Sequence, residues 1–178
     1  MNNIRRKKME NKPLVSIVMG SQSDLETLKE ASAVLKEFSV THEIRVISAH
    51  RTPDVAHDFA LSAENRGVKV VIAGAGKAAH LAGVLASLTL LPIIGVPMHT
   101  SDLGGLDSLL STVQMPGGIP VATVAIGKAG AKNAGLLAVA ILALQDNALR
   151  TRLAAYRKRM TEEVVKADQA LQASASMA

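Results

Sequence analysis

Three short polar clusters hold most of the residue types able to do chemistry: Gly20-Ser21-Gln22-Ser23-Asp24, Ser48-Ala49-His50-Arg51-Thr52-Pro53 and Gly74-Ala75-Gly76-Lys77-Ala78-Ala79-His80. The first joins a glycine and two hydroxyls to the start of a helix, where free N–H groups and the helix dipole attract phosphate. Ser23 and Asp24 would also serve simply as helix cap and first-turn acid, and that alternative stays open. Such a cap has no need of Ser21. In the second cluster arginine offers a forked donor to an anion, and histidine is the side chain best placed to move protons near neutral pH. The adjacent His50 and Arg51, just ahead of a proline-started helix, are therefore candidate site residues.

The third cluster, with Gly74, Gly76 and Ala79, imitates a dinucleotide-binding turn. That turn also requires an acid about 20 residues later for the ribose. No acid stands between Gly76 and Asp102, so NAD is not expected. Gly76-Lys77-Ala78 and Gly127-Lys128-Ala129 lack the earlier glycine and the Ser/Thr of a P-loop. What remains is a loop whose backbone comes close to a small ligand. His42, His57 and His99 form no metal-ligand spacing. His57 reads as a solvated helix face, and His99, beyond Pro97, could face the site but is not counted among its residues. No metal site is expected.

The elements around these clusters alternate. Residues 14–19 form a short apolar run that reads as a buried strand. Residues 24–38 carry Leu28, Ala31, Leu35 and Phe38 at helical spacing, with Ser23 and Glu26 as a capping box. Further strands are read at 44–47, 68–73, 93–96 and 121–124. Helices are read from Pro53 to about Arg66, with Thr52 as N-cap, and over 78–90, 128–145 and 147–171. Strands alternating with helices predict a three-layer α/β/α sandwich around a parallel sheet. In such sheets ligands bind beyond the carboxyl ends of the strands, and all three clusters follow strands at that edge. The last helix carries Leu149, Leu153, Tyr156, Met160, Val164, Ala167 and Leu171 as one apolar stripe. Its length suggests that part of the stripe overhangs its own subunit and meets another copy.

Composition narrows the class. The chain has 178 residues and no cysteine, which excludes disulfides and thiolate chemistry. Of its 20 Lys and Arg residues, four stand in the first eight positions, so the body has 16 bases against 15 acids. A near-neutral body with 2% aromatics argues against nucleic-acid binding. Residues 1–12 read as a disordered basic tail and 13–178 as a single catalytic α/β domain. The tail runs into Glu10-Asn11-Lys12 rather than an apolar stretch, so no signal peptide is read. Residues 78–101 are free of Asp, Glu, Lys and Arg, but Gly83, Pro92, Gly95 and Pro97 break them into a buried helix and strand rather than a membrane span. A soluble, cytoplasmic protein is the expectation.

With the three clusters, Val113-Gln114-Met115-Pro116-Gly117-Gly118-Ile119-Pro120 and Ala125-Ile126-Gly127-Lys128-Ala129-Gly130-Ala131 complete an ordered motif set over residues 14–160. The set resembles the bacterial N5-carboxyaminoimidazole ribonucleotide mutases of purine biosynthesis. The resemblance implies a flavodoxin-like fold, a homo-octamer, a ribonucleotide monophosphate substrate and no cofactor. It implies transfer of a carboxylate from the exocyclic N5 nitrogen to C4 of an aminoimidazole ring, through trapped carbon dioxide. On this resemblance His50 is the proton shuttle. Ser21, Asp24 and Arg51 bind substrate, as do Ser23, Ser48 and Gly76 in the same motifs, and the His80 loop closes over the ring. Two positions depart from the family pattern, which has glycine at Lys77 and proline at Ala82. Lys77 either points to solvent or helps to hold an anion. The competing readings are the animal-type carboxylase, which uses carbon dioxide directly, and a nucleotide-binding regulatory module, which would need Arg51 but not a proton shuttle.

Overall fold

The computed structural model describes residues 12–175. Most of the proposed basic tail, residues 1–11, therefore lies outside the described residues. The elements are β1 (Val15–Met19), α1 (Leu25–Glu37), β2 (His42–Val46), α2 (Pro53–Arg66), β3 (Val70–Ala75), α3 (Leu81–Leu88), β4 (Ile93–Pro97), α4 (Leu106–Val113), β5 (Ala122–Thr123), α5 (Gly127–Leu142) and α6 (Asn147–Ala175). The five strands form one parallel sheet in the order β2-β1-β3-β4-β5. This is the flavodoxin-like order, and its direction reverses between β1 and β3. Among the described residues no helix is long and apolar enough to cross a membrane.

Alternation along β1 divides the core. Val15, Ile17 and Met19 join α1 and α5 in one apolar cluster, while Val18 joins α2 and α3 in another on the opposite face. Ser16 shares the second face and is fully buried. Its hydroxyl donates to Glu43 Oε1 at 2.6 Å, and Arg66 Nη1 donates to the same oxygen at 2.6 Å. Burial raises the Glu43 pKa, but these hydrogen bonds and the charges of Arg66 and Arg45 together bring it below the ordinary value.

Several element boundaries differ from the sequence reading, and each difference has a local cause. The predicted Ser23–Glu26 capping box is absent. Ser21 instead caps a single 3-10 turn, Gln22–Asp24, by accepting the Ser23 N–H, and Glu26 pairs with Lys29. Ser21 thus has the capping role that the sequence reading denied it. Thr52 stands at the predicted N-cap, but its hydroxyl turns back to bond the Ser48 carbonyl. The helix expected from residue 78 starts at Leu81, because residues 76–80 form a loop. Helix α4 was not anticipated. Its inward residues, Ser108 and Thr112, are polar, whereas Leu106, Leu110 and Val113 are exposed.

Helices α1 and α5 meet through small residues. Gly130, Ala131, Ala134, Gly135 and Ala138 are buried on α5, facing Ala31 and Val34 among others. A Cβ at Gly130 would stand 1.5 Å from the Ala125 carbonyl oxygen, a backbone atom that no rotamer change can move. Gly130→Ala is therefore expected to destabilise the fold by about 3 kcal/mol despite alanine's better helix propensity. A denaturant midpoint equal to that of the unsubstituted protein would contradict this packing.

Candidate active site

The carboxyl ends of β1, β2, β3 and β4 surround a cavity of about 530 Å³, within the ordinary range for a small-molecule site. Ser21, Ser23 and Asp24 line it from β1, and Ser48, His50 and Arg51 from β2. Gly76 and His80 line it from the loop after β3. All eight residues singled out from the sequence thus face one space. Lys77 lines it as well, and so does His99, which the sequence reading had set aside.

Arg51 ties the first two strand ends together. Its Nη2 donates to the Gly20 carbonyl at 2.7 Å, and its Nε reaches Ser48 Oγ at 3.4 Å. The Arg51 backbone N–H also donates to Ser48 Oγ, at 3.2 Å. A guanidinium has five N–H donors, so these contacts fix the group in place and leave other donors for an anion. Ser23 Oγ donates to Ser21 Oγ at 2.9 Å nearby.

In the same cavity, His50 Nε2 and His80 Nδ1 lie 2.9 Å apart with their rings nearly perpendicular. One of these nitrogens carries the proton and the other accepts it, so the pair shares a hydrogen bond along which a proton can be relayed. The loop that carries His80 is held from beneath by α4. Lys77 N–H donates to Ser108 Oγ at 3.0 Å, and Ala79 N–H donates to Ser111 Oγ at 3.0 Å. Lys77 itself has φ +60, a left-handed conformation that costs a non-glycine residue roughly 1–2 kcal/mol.

Comparison with known proteins places this arrangement. The family model described as AIR carboxylase matches residues 14–163. The chain belongs to that family. An N5-carboxyaminoimidazole ribonucleotide mutase of Pyrococcus horikoshii is 58% identical over 153 residues, covering 86% of this chain and 85% of the relative. The Bacillus subtilis protein of the same name is 54% identical over 159 residues, covering 89% of this chain and 98% of its own. The crystal structure of Treponema denticola PurE superposes with a TM-score of 0.80 at 29% identity, covering 88% of this chain and 97% of that one.

Within this member of the AIR carboxylase family, the sequence reading missed the supports as well as the lining from the segment after β4, His99 included. Ser108 and Ser111 lie on a helix whose only sequence signal was Leu106, Leu109, Leu110 and Val113 at helical spacing, and that pattern points to the opposite face. Asp24 is half-buried, and burial raises its pKa above the ordinary carboxylate value, against the hydrogen bonds from Ser23 and Ser21. A raised native pKa means that ionised Asp24 costs stability once the pH exceeds it, whereas below the unfolded value of 3.8 that cost is absent. Asp24→Asn should therefore raise the melting temperature at pH 7, and the gap to the unsubstituted protein should narrow towards pH 4. Thermal melts at both values check this, and a gap that widens on acidification would reverse the sign argued for the carboxylate.

Proposed function

We propose that this protein is a mutase that converts N5-carboxyaminoimidazole ribonucleotide to 4-carboxy-5-aminoimidazole ribonucleotide in de novo purine (IMP) biosynthesis. The observation that carries the reading is the hydrogen-bonded His50–His80 pair in one cavity with Arg51 and the serines. Three sets of residues suit the parts of a ribonucleotide. Arg51, Ser21 and Ser23 suit the phosphate, Asp24 suits a ribose hydroxyl, and Ser48, Gly76 and the histidines suit the ring and its carboxylate. The names of the close relatives support the same substrate.

His50 carries the proton in this reading. The N5–carboxylate bond breaks, its electron pair stays on N5, and protonated His50 supplies the proton that makes the neutral amine. The carbon dioxide released is held in the cavity. C4, made electron-rich by that amine, attacks it and forms the new carbon–carbon bond. Neutral His50 then removes the C4 proton, so the shuttle ends in its starting state and the net change is an isomerisation. His80, one hydrogen bond away, orients the imidazole and can share its proton.

The test supplies the purified protein with either the N5-carboxylated ribonucleotide or the uncarboxylated one plus bicarbonate. The C4 carboxylate should form from the first. Formation only from the second would make the protein a carboxylase, and none from either would leave a binding module. His50→Asn should retain nucleotide binding and lose about 10²–10⁴-fold in turnover, the usual contribution of positioned proton transfer. Near-normal turnover in that variant would remove His50 from the mechanism.

The reading includes a homo-oligomer of eight copies. Helix α6 has 29 residues and so spans about 43 Å. Its first turns pack on the rest of the chain. Leu149 is buried, Leu153 and Tyr156 pack on the α1–α5 cluster, and Arg159 pairs with Glu37. Beyond them Met160, Val164, Val165 and Leu171 are exposed, as are Ile44 and Val46 on the edge strand β2. Apolar surface of this extent suits burial against further copies. Removing residues 160–178 spares the packed turns and should lower the assembly mass measured by light scattering. A monomeric full-length protein would reject the assembly, and an unchanged mass would reject the part assigned to α6.

A further inference from the structure

Lys77 combines three features that are independent of one another. Its backbone is held at a positive φ by the hydroxyls of α4 beneath the loop, so its position is not a consequence of a floppy segment. It lines the cavity beside His80. Its Nζ lies 2.7 Å from Asp102 Oδ2, and Asp102 stands on the segment after β4 that also supplies His99, Thr100 and Ser101 to the cavity. The ammonium therefore bridges two loops at the cavity wall. Asp102 in turn holds the ammonium's pKa above its ordinary value, through a hydrogen bond and its charge.

This ion pair is exposed on both sides, 72% for Lys77 and 56% for Asp102. Exposed pairs contribute little and are readily exchanged. The cavity holds another, fixed cation in Arg51, whose guanidinium is tied to Gly20 and Ser48 on the β1–β2 side. A substrate with two anionic groups would be served by a second cation besides Arg51, and among the described residues Lys77, in the loop that carries His80, lines the same cavity.

We propose that Lys77 is a specificity-determining residue that binds the substrate's carboxylate, with Asp102 as the counter-ion that parks its ammonium until that carboxylate arrives. The proposal rests on the functional reading above and adds to it the group that distinguishes carboxylated from uncarboxylated nucleotide. Lys77 and Asp102 then act in opposition. Lys77 attracts the ligand's carboxylate, and Asp102 competes with it.

That opposition is the test. Dissociation constants for the C4-carboxylated and the uncarboxylated ribonucleotide are measured by calorimetry on the unsubstituted protein, Lys77→Gly and Asp102→Asn. Lys77→Gly also relieves the positive φ, so folding is not at risk. It should weaken the carboxylated ligand about five- to tenfold and leave the uncarboxylated one within about twofold. Asp102→Asn should tighten the carboxylated ligand about two- to threefold, and added salt should shrink both effects. If both substitutions weaken the carboxylated ligand, the ion pair is only a strap between loops and the proposal is wrong. Equal effects on the two ligands also overturn it. These results leave the mutase reading standing if the unsubstituted protein still forms the C4 carboxylate. An unsubstituted protein that binds neither nucleotide overturns both.

Discussion

The site depends on two serine hydroxyls beneath a loop. Residues 76–80 belong to neither strand nor helix, so their backbone N–H groups have no ladder to join, and a buried N–H without a partner is costly. Ser108 and Ser111 supply the acceptors for Lys77 and Ala79. With those two bonds made, the chain can leave β3, hold Lys77 at a positive φ and deliver His80 within hydrogen-bonding distance of His50. The hydrogen bond between the histidines thus rests on α4, a helix none of whose residues lines the cavity.

The remaining geometry follows from the sheet. Parallel strands put all their carboxyl ends on one edge, and the reversal of strand order between β1 and β3 opens the crevice there. Arg51 spans two of those ends through Gly20 and Ser48, and so its guanidinium is tied to the strand ends. The loop that carries His80 is less rigidly founded, because it reaches the sheet only at its start. Its position is set by hydroxyl contacts to α4 and by an exposed ion pair to the segment after β4.

How far the sequence could be read follows the same division. Strands and layers were legible, since a short apolar run marks β1, helical spacing marks α1 and the Thr52-Pro53 start marks α2, and ligand edges of parallel sheets are predictable. The loop after β3 was legible as a polar cluster but not as structure. The sequence that reads as a helix over 78–90 carries no information about where a serine elsewhere will capture an N–H. Helix α4 was invisible for a related reason. Reading helices by an apolar inward face fails when the inward face is Ser108 and Thr112 and the leucines point outward. The role of Ser21 was misjudged because a 3-10 turn before α1 displaced the cap by two residues.

That reversed polarity of α4 changes which substitutions the chain tolerates. On most helices the outer positions accept nearly any residue and the inner ones accept any apolar side chain of suitable volume. On α4 the inner positions demand a small hydroxyl. Alanine at 108 would strand the Lys77 N–H, and a larger apolar residue would press on a loop that has no slack. The outer leucines Leu106 and Leu110 are about half exposed, so the chain itself restricts them less than it restricts the inner hydroxyls. A map of accepted substitutions along residues 106–113 would therefore look like that of an ordinary amphipathic helix rotated by half a turn, with its polar stripe the intolerant one.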